Sequence, residues 1–259
     1  MRLIRLQPAL LAAAVAALAC GGLAPSSPAG PADRLQGELD IFAAASLTES
    51  FNALGTAFRE AHPSLTVHLV FAGTPTLVTQ IGQGAPADIL ASADGANMQN
   101  AVDQGLVAGT PRVFARNRLA IVVGAGNPKH LAGLADLARP DVLFITEAAT
   151  VPAGRYAAQA LASAGVKASP RSFESDVKSV VAKVSLGEAD AGIVYLTDVR
   201  AAGPKVAGVV IPDGQNVITS YPVATLRGSR NSSAGQAFLE QLFSAPGQTV
   251  LAHFGFSPP

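Results

Sequence analysis

Apolar residues along this chain repeat with two different periods. Leu65, Val67, Leu69 and Phe71 occupy every second position, as in a strand with one buried face. Phe51, Leu54 and Phe58 recur at the spacing of one helical face, and Pro63 ends that run, so a helix is predicted over Leu47–Ala61. The same criteria predict helices over Pro75–Gln83 (Leu77, Val78 and Ile81 inward), Asn97–Gln104, Arg155–Ala164, Val177–Leu186 and Ser232–Ser244. The second to fifth of these, counting from Leu47, are each followed at once by a glycine: Gly84, Gly105, Gly165 and Gly187. Asp40–Phe42, Asp88–Ala91, Leu119–Val123, Val142–Ile145 and Ala191–Val194 are short apolar runs that read as buried strands. Strands and helices alternate through short links. That order predicts an α/β fold with parallel or mixed sheets and helices on both faces. In such sheets ligands lie beyond the carboxyl ends of the strands.

Those strand ends share an unusual chemistry. Phe42-Ala-Ala-Ala-Ser-Leu47, Phe71-Ala-Gly-Thr-Pro-Thr76, Thr150-Val-Pro-Ala-Gly154 and Glu174-Ser-Asp-Val177 each lead from a strand into a helix with small or hydroxyl residues at the junction, and a fifth strand ends Gly192-Ile-Val-Tyr195. Helix N-termini carry free N–H groups and the positive end of the helix dipole, so several aimed at one cleft would hold a small oxyanion without Arg or Lys. Ser46-Leu-Thr-Glu49 has capping-box spacing, which makes Ser46 an expected N-cap with Glu49 reaching back. Thr74-Pro75 reads the same way, Thr as N-cap and Pro at the first helical position. Ala153 and Val177 could contribute only backbone N–H groups, and residue type alone does not single them out. Tyr195 reads as a core tyrosine with a satisfied hydroxyl. Asp88 and Asp94 read as turn and cap residues. Four scattered histidines lack metal-ligand spacing, and there is no Gly-x-Ser-x-Gly, no Gly-Lys-Ser/Thr phosphate loop and no nucleophile–base constellation.

Charge and the N-terminus narrow the picture further. The 18 basic and 18 acidic side chains of the 259 residues cancel, leaving no nucleic-acid footprint, so any anion selectivity must be local. Residues 1–20 read as an export signal: Arg2 and Arg5, then an apolar run from Pro8 to Ala19 too short to span a bilayer. Cys20, the only cysteine, fits a lipoprotein processing site; conventional cleavage after Ala17-Leu18-Ala19 is the other reading. Residues 21–36, rich in Gly, Pro, Ser and Ala, read as a flexible tether.

Taken in order, these stretches resemble the periplasmic molybdate-binding proteins of ABC transporters. The resemblance is carried by Phe42-Ala-Ala-Ala-Ser-Leu47, Phe71-Ala-x-Thr-x-Thr-Leu77, Gly84-Ala-Pro-Ala-Asp88 with Ala93-Asp94, Val151-Pro-Ala-Gly154, Gly192-Ile-Val-Tyr195, Tyr221-Pro-Val223, Pro246-Gly-Gln and Phe254-Gly-Phe256. It covers about residues 38–257. It implies a two-lobe, type II binding-protein fold with a ligand cleft between lobes, lobe I being 37–117 plus 223–259 and lobe II 118–222. It also implies a non-enzymatic receptor for molybdate, and tungstate with it, that serves an ABC permease as a monomer and needs no cofactor. On matching positions Ser46 and Thr74 would give hydroxyl and N–H, Ala153 and Val177 backbone N–H, and Tyr195 its O–H. Molybdenum would be held only as its oxyanion, with no direct metal ligand. Two departures stand out: Thr74 where the family often has Ser, and Glu147-Ala148 where it often has Asp-Pro. Glu147 is not expected on the anion, since like charges repel. The rival expectations are a sulfate or other oxyanion receptor, an enzyme on the same scaffold, and a regulatory effector domain.

Overall fold

A computed structural model describes residues 35–259. The export signal, Cys20 and all of the tether but Leu35 and Gln36 lie outside the described residues.

The predicted alternation is present. Strand β1 (Gly37–Ala44) leads through a 3-10 turn (Ala45–Leu47) into α1 (Thr48–Ala61), followed by β2 (Leu65–Ala72), α2 (Thr74–Gly82), β3 (Ile89–Ala91) and α3 (Gly95–Asp103). Next come β4 (Val107–Gly124), β5 (Phe144–Glu147), α4 (Pro152–Ser163), β6 (Phe173–Glu174), α5 (Val177–Ser185), β7 (Ala191–Tyr195) and α6 (Leu196–Ala202). The described chain ends with β8 (Val206–Val210), β9 (Ile218–Leu226), α7 (Ser232–Phe243) and α8 (Ala245–His253). Strand order is β2-β1-β3-β9-β4-β7-β5-β6, with β8 paired to β4.

Two parallel triplets lie in this mixed sheet. β1 pairs in parallel with β2 and β3, and β5 pairs in parallel with β6 and β7. The 18-residue β4 joins them: it runs antiparallel to β9 from Val107 to Arg118, then antiparallel to β7 and β8 from Leu119 to Gly124. Register shifts between Ala108 and Arg112 and between Val113 and Ala115 break the first ladder, a bulged irregularity of the kind that bends a long strand.

Side-chain alternation then sorts the core. Leu39, Ile41, Ile89 and Val223 face α1, α7 and α8 through Phe51, Leu54, Phe58, Phe238 and Leu242. The intervening Phe42, Leu90, Ala224 and Leu226 face α2 and α3 through Leu77, Val78, Ile81 and Met98. In the other triplet Ile145, Ala191 and Ile193 pack with Ala157 and Ala160 of α4 and Val180 and Val184 of α5. β5 and β7 are buried at every residue; β7 is apolar as far as Tyr195 because both of its faces are covered, whereas β5 ends in the buried polar pair Thr146 and Glu147.

Two local expectations are corrected. The capping box at Ser46 and Glu49 does not form: α1 begins at Thr48, Ser46 sits in the preceding 3-10 turn, and no side chain caps either segment. Ser46 Oγ lies 2.9 Å from the Tyr221 hydroxyl, and Glu49 is taken by Lys178 at 2.7 Å. Thr74 is the first residue of α2 rather than its N-cap, which is Gly73. Asp94 is a cap as expected, accepting the Asn97 N–H, and Asp88 gathers the N–H groups of Asp40, Arg230 and Asn231.

Candidate functional site

The carboxyl ends of both parallel triplets open onto one cavity. It is small, with room for about 10 Å³ of water-sized occupancy, and is lined from one side by Ala44, Ala45, Ser46, Ala72, Gly73, Thr74 and Ala93, from the other by Val151, Pro152, Ala153, Asp176, Val177 and Tyr195. All five residues singled out above, Ser46, Thr74, Ala153, Val177 and Tyr195, are brought together here.

Each arrives for a local reason. After β1 the chain turns at once through Ala45–Leu47, where small side chains let the backbone come close to the cavity. At α2 and α4 a proline stands in the first turn and no side chain caps the helix, so the leading N–H groups have no partner within their own helix. Gly154 is required by a close approach: a Cβ there would run into the carbonyl oxygens of Glu147 and Ala148. Only glycine lets α4 start so near the end of β5. In α5 the Asp176 carboxylate is turned into its own helix, accepting from Ser179 N at 2.9 Å and Ser179 Oγ at 3.2 Å, which leaves the neighbouring Val177 N–H outside the cap.

The side-chain donors are held in a defined state. Thr74 Oγ1 accepts the Ala93 N–H at 3.2 Å, so its own proton is free to point elsewhere. Tyr195 differs from the expectation. Its ring is core, only 1% exposed, but its hydroxyl has no hydrogen-bond partner and lines the cavity. A buried unpaired hydroxyl costs about 1–3 kcal/mol, so it marks a place where a ligand atom belongs. Burial, together with the nearby Tyr221, pushes the Tyr195 phenol well above its ordinary range, which keeps it a donor.

No Lys, Arg or His lines the cavity. The cations around it are each matched: Arg155 of α4 pairs with buried Asp94 at the start of α3, and Lys178 of α5 pairs with Glu49 of α1 at 2.7 Å and Asp198 at 3.3 Å. The first pair and the Lys178–Glu49 contact each tie the β5–β7 side to the β1–β3 side. Glycine makes a third close contact across the same line: a Cβ on Gly73 would stand 2.5 Å from the Ser175 carbonyl oxygen. Nothing in the one-dimensional pattern pointed to these pairs, because their members lie far apart in the chain and each alone reads as a solvated charge.

Glu147 is buried and does not line this cavity. Burial, reinforced by the negative charges of Asp198 and Asp176, raises its pKa to about 8, so it is held as a neutral acid. The consequence for stability follows in sign. The unfolded carboxyl ionises near its ordinary 4.5, whereas the folded one resists until about 8. The contribution is therefore fully present below about pH 4.5 and is lost as pH rises toward 8. Glu147→Gln should flatten that fall and raise stability at the alkaline end by about 1–2 kcal/mol, read from thermal unfolding midpoints across the same pH range. An unchanged pH slope in the variant would show that Glu147 does not titrate in this way.

Comparison with known proteins points the same way. A family model described as bacterial extracellular solute-binding protein matches residues 39–257. The molybdate-binding protein ModA of Mycobacterium tuberculosis is 38% identical over 262 residues, an alignment spanning 100% of both chains. Among solved structures, the sulfate-binding protein SubI from Mycobacterium tuberculosis aligns with a TM-score of 0.76 at 21% identity, over 86% of this chain and 87% of that one. The periplasmic molybdate-binding protein of Azotobacter vinelandii aligns with a TM-score of 0.73 at 17% identity, over 85% of this chain and 99% of that one. At those identities the two structures speak to the fold alone: a mixed α/β sheet flanked by helices, as in periplasmic binding proteins.

Proposed function

The chain belongs to the bacterial extracellular solute-binding proteins, and from that premise we propose that it captures molybdate, and tungstate with it, and delivers the anion to an ABC permease. The observation that carries this reading is a cavity lined by neutral residues and one capped aspartate, with no cation, and with the Tyr195 hydroxyl inside it lacking a partner. The family and the curated relative are solute-binding proteins, and the site holds no nucleophile–base pair, which suits binding and release without chemistry.

In this reading Ser46 and Thr74 each give a hydroxyl and an N–H, Ala153 and Val177 each a backbone N–H, and Tyr195 its O–H. A fully ionised tetrahedral dianion only accepts hydrogen bonds, so this set of donors suits it. A hydrogen-phosphate ion would bury an O–H against these donors, the Asp176 carboxylate being turned into its own helix, and is disfavoured. Sulfate shares charge and shape with molybdate, so cavity size separates them. Residues 37–117 with 223–259 would form one lobe and 118–222 the other, closing over the anion about β4 and β9. The receptor acts as a monomer without a cofactor. Export through residues 1–20 and lipid anchoring at Cys20 complete the proposal.

Isothermal titration calorimetry with molybdate, tungstate, sulfate and phosphate tests it. Tight one-to-one binding of the first two, with phosphate silent, is the expected result; binding of sulfate alone would keep the fold and overturn the substrate. Tyr195→Phe should weaken molybdate by about 1–3 kcal/mol, roughly 5- to 150-fold, the scale of one donor to a charged group. An unchanged affinity would remove Tyr195 from contact with the anion.

A further inference from the structure

We propose that Asp176 is a charge-selecting residue of the anion site: its carboxylate holds the affinity for a dianion below what the donors alone would give, and so sets how readily the anion leaves. The inference rests on the oxyanion reading above and deepens it, giving a role to the one formally charged side chain on the cavity wall.

The fold accounts for Asp176 only in part. The residue is the N-cap of α5, in an extended conformation with φ −164° and ψ 168°, and it is half-buried. Oδ1 accepts from the Ser179 N–H at 2.9 Å and the Ser179 hydroxyl at 3.2 Å, and Oδ2 accepts from the Ser175 hydroxyl at 3.1 Å. All three donors are neutral. Asparagine and serine cap a helix about as well as aspartate, so the cap requires an oxygen and not a charge. No ion pair among the described residues includes Asp176. The neighbouring cations are committed elsewhere: Lys178 to Glu49 and Asp198, Lys183 to Glu174 at 2.7 Å, and Arg155 to Asp94. The negative charge is left unmatched, and it reaches buried Glu147, whose protonated state it favours.

Asp176 and the anion would share one helix end. Val177, the proposed donor, follows Asp176 directly, and the Ser179 N–H that Asp176 holds belongs to the same first turn, which rises only about 5 Å. A helix N-terminus offers the equivalent of about half a positive charge, and Asp176 already draws on it. An anion in the cavity would meet this carboxylate well inside a Debye length, where dissolved salt screens little. The repulsion scales with the charge of the ligand, so it costs a dianion twice the free energy that it costs a monoanion of the same shape. A tenfold loss of affinity for the first is thus about a threefold loss for the second. Affinity differences between related complexes fall mostly on dissociation, so the carboxylate hastens release while the donors stay as they are.

The test uses tungstate and perrhenate, tetrahedral oxyanions of similar size that carry two charges and one. Both are titrated calorimetrically into the wild type, Asp176→Asn and Asp176→Gly, perrhenate in competition with tungstate, with apo thermal unfolding alongside. Asparagine keeps the capping oxygen; glycine is itself an accepted N-cap residue and adds no donor that could reach the anion. In both variants tungstate should bind about tenfold more tightly and perrhenate about threefold, so their affinity ratio rises about threefold. Stopped-flow dissociation of tungstate should slow by about tenfold in step. A gain in Asp176→Asn alone would reveal a new amide donor rather than a lost charge, and would overturn the proposal. So would equal changes for the two anions, no change, or weaker binding of both with a lower apo melting temperature; each would leave Asp176 a helix cap and the receptor reading intact. Failure of the wild type to bind any oxyanion would overturn the receptor reading and this role with it.

Discussion

Gly154→Ala should destabilise the protein by about 3 kcal/mol, near the top of the range for overpacking, and abolish tight anion capture at the same time. The added methyl would meet two backbone carbonyl oxygens, of Glu147 and Ala148, rather than a side chain that could swing aside. Relief requires either the end of β5 or the first turn of α4 to move, and both are fixed by the packing of Ile145, Ala157 and Ala160. Moving α4 withdraws Ala153, which lines the cavity. For a domain of this size a 3 kcal/mol loss lowers the melting temperature by about 6–12 °C. Scanning calorimetry with and without molybdate checks both halves: the apo midpoint falls, and the ligand no longer raises it. A midpoint within a degree or two of the wild type would show that the strand end gives way easily.

Gly73→Ala should separate what Gly154→Ala combines. Gly73 has φ −57° and ψ 136°, a conformation open to alanine, so the substitution carries no backbone strain. Its Cβ would meet only the Ser175 carbonyl oxygen, which belongs to the opposite wall of the cavity. Folding of either side is untouched; bringing the sides together is not. If the overlap costs the closed arrangement about 1–3 kcal/mol, the apparent affinity falls about 5- to 150-fold while the apo melting temperature stays put. Titration calorimetry beside apo thermal unfolding reads the two quantities independently. Unchanged affinity would mean that Ser175 yields, and that the close approach is incidental to closure.

How far the sequence anticipates this molecule depends on the range of the interactions involved. Period-2 spacing at Leu65–Phe71 and helical spacing at Phe51, Leu54 and Phe58 report on burial within one element, and both elements are where the spacing puts them. The site residues were legible in two ways. Ser46 and Thr74 show themselves as hydroxyls at strand ends, whereas Ala153 and Val177 have no chemistry of their own and were reached only through the resemblance. What failed was the assignment of partners. Ser46-x-x-Glu49 looks like a capping box because local spacing is all that a sequence displays. In the fold Tyr221 claims Ser46 from 175 positions away, and Lys178 claims Glu49 from 129. The full length of β4 was not anticipated: only Leu119–Val123 reads as a strand, whereas Gly109 and Pro111 fall within a register shift that a long antiparallel strand can absorb.

The absence of any cation from the cavity wall has a consequence for the surroundings in which such a receptor operates. A site built from lysines and arginines would lose grip as dissolved ions screen it, with a Debye length of about 8 Å at physiological ionic strength. In the proposed site the attraction would come from bond dipoles in contact with the anion, far inside that length, while Arg155 and Lys178 are paired with Asp94, Glu49 and Asp198. The equilibrium is thereby insulated from the ionic strength of the medium, which an exported protein meets without the buffering that the cytoplasm provides.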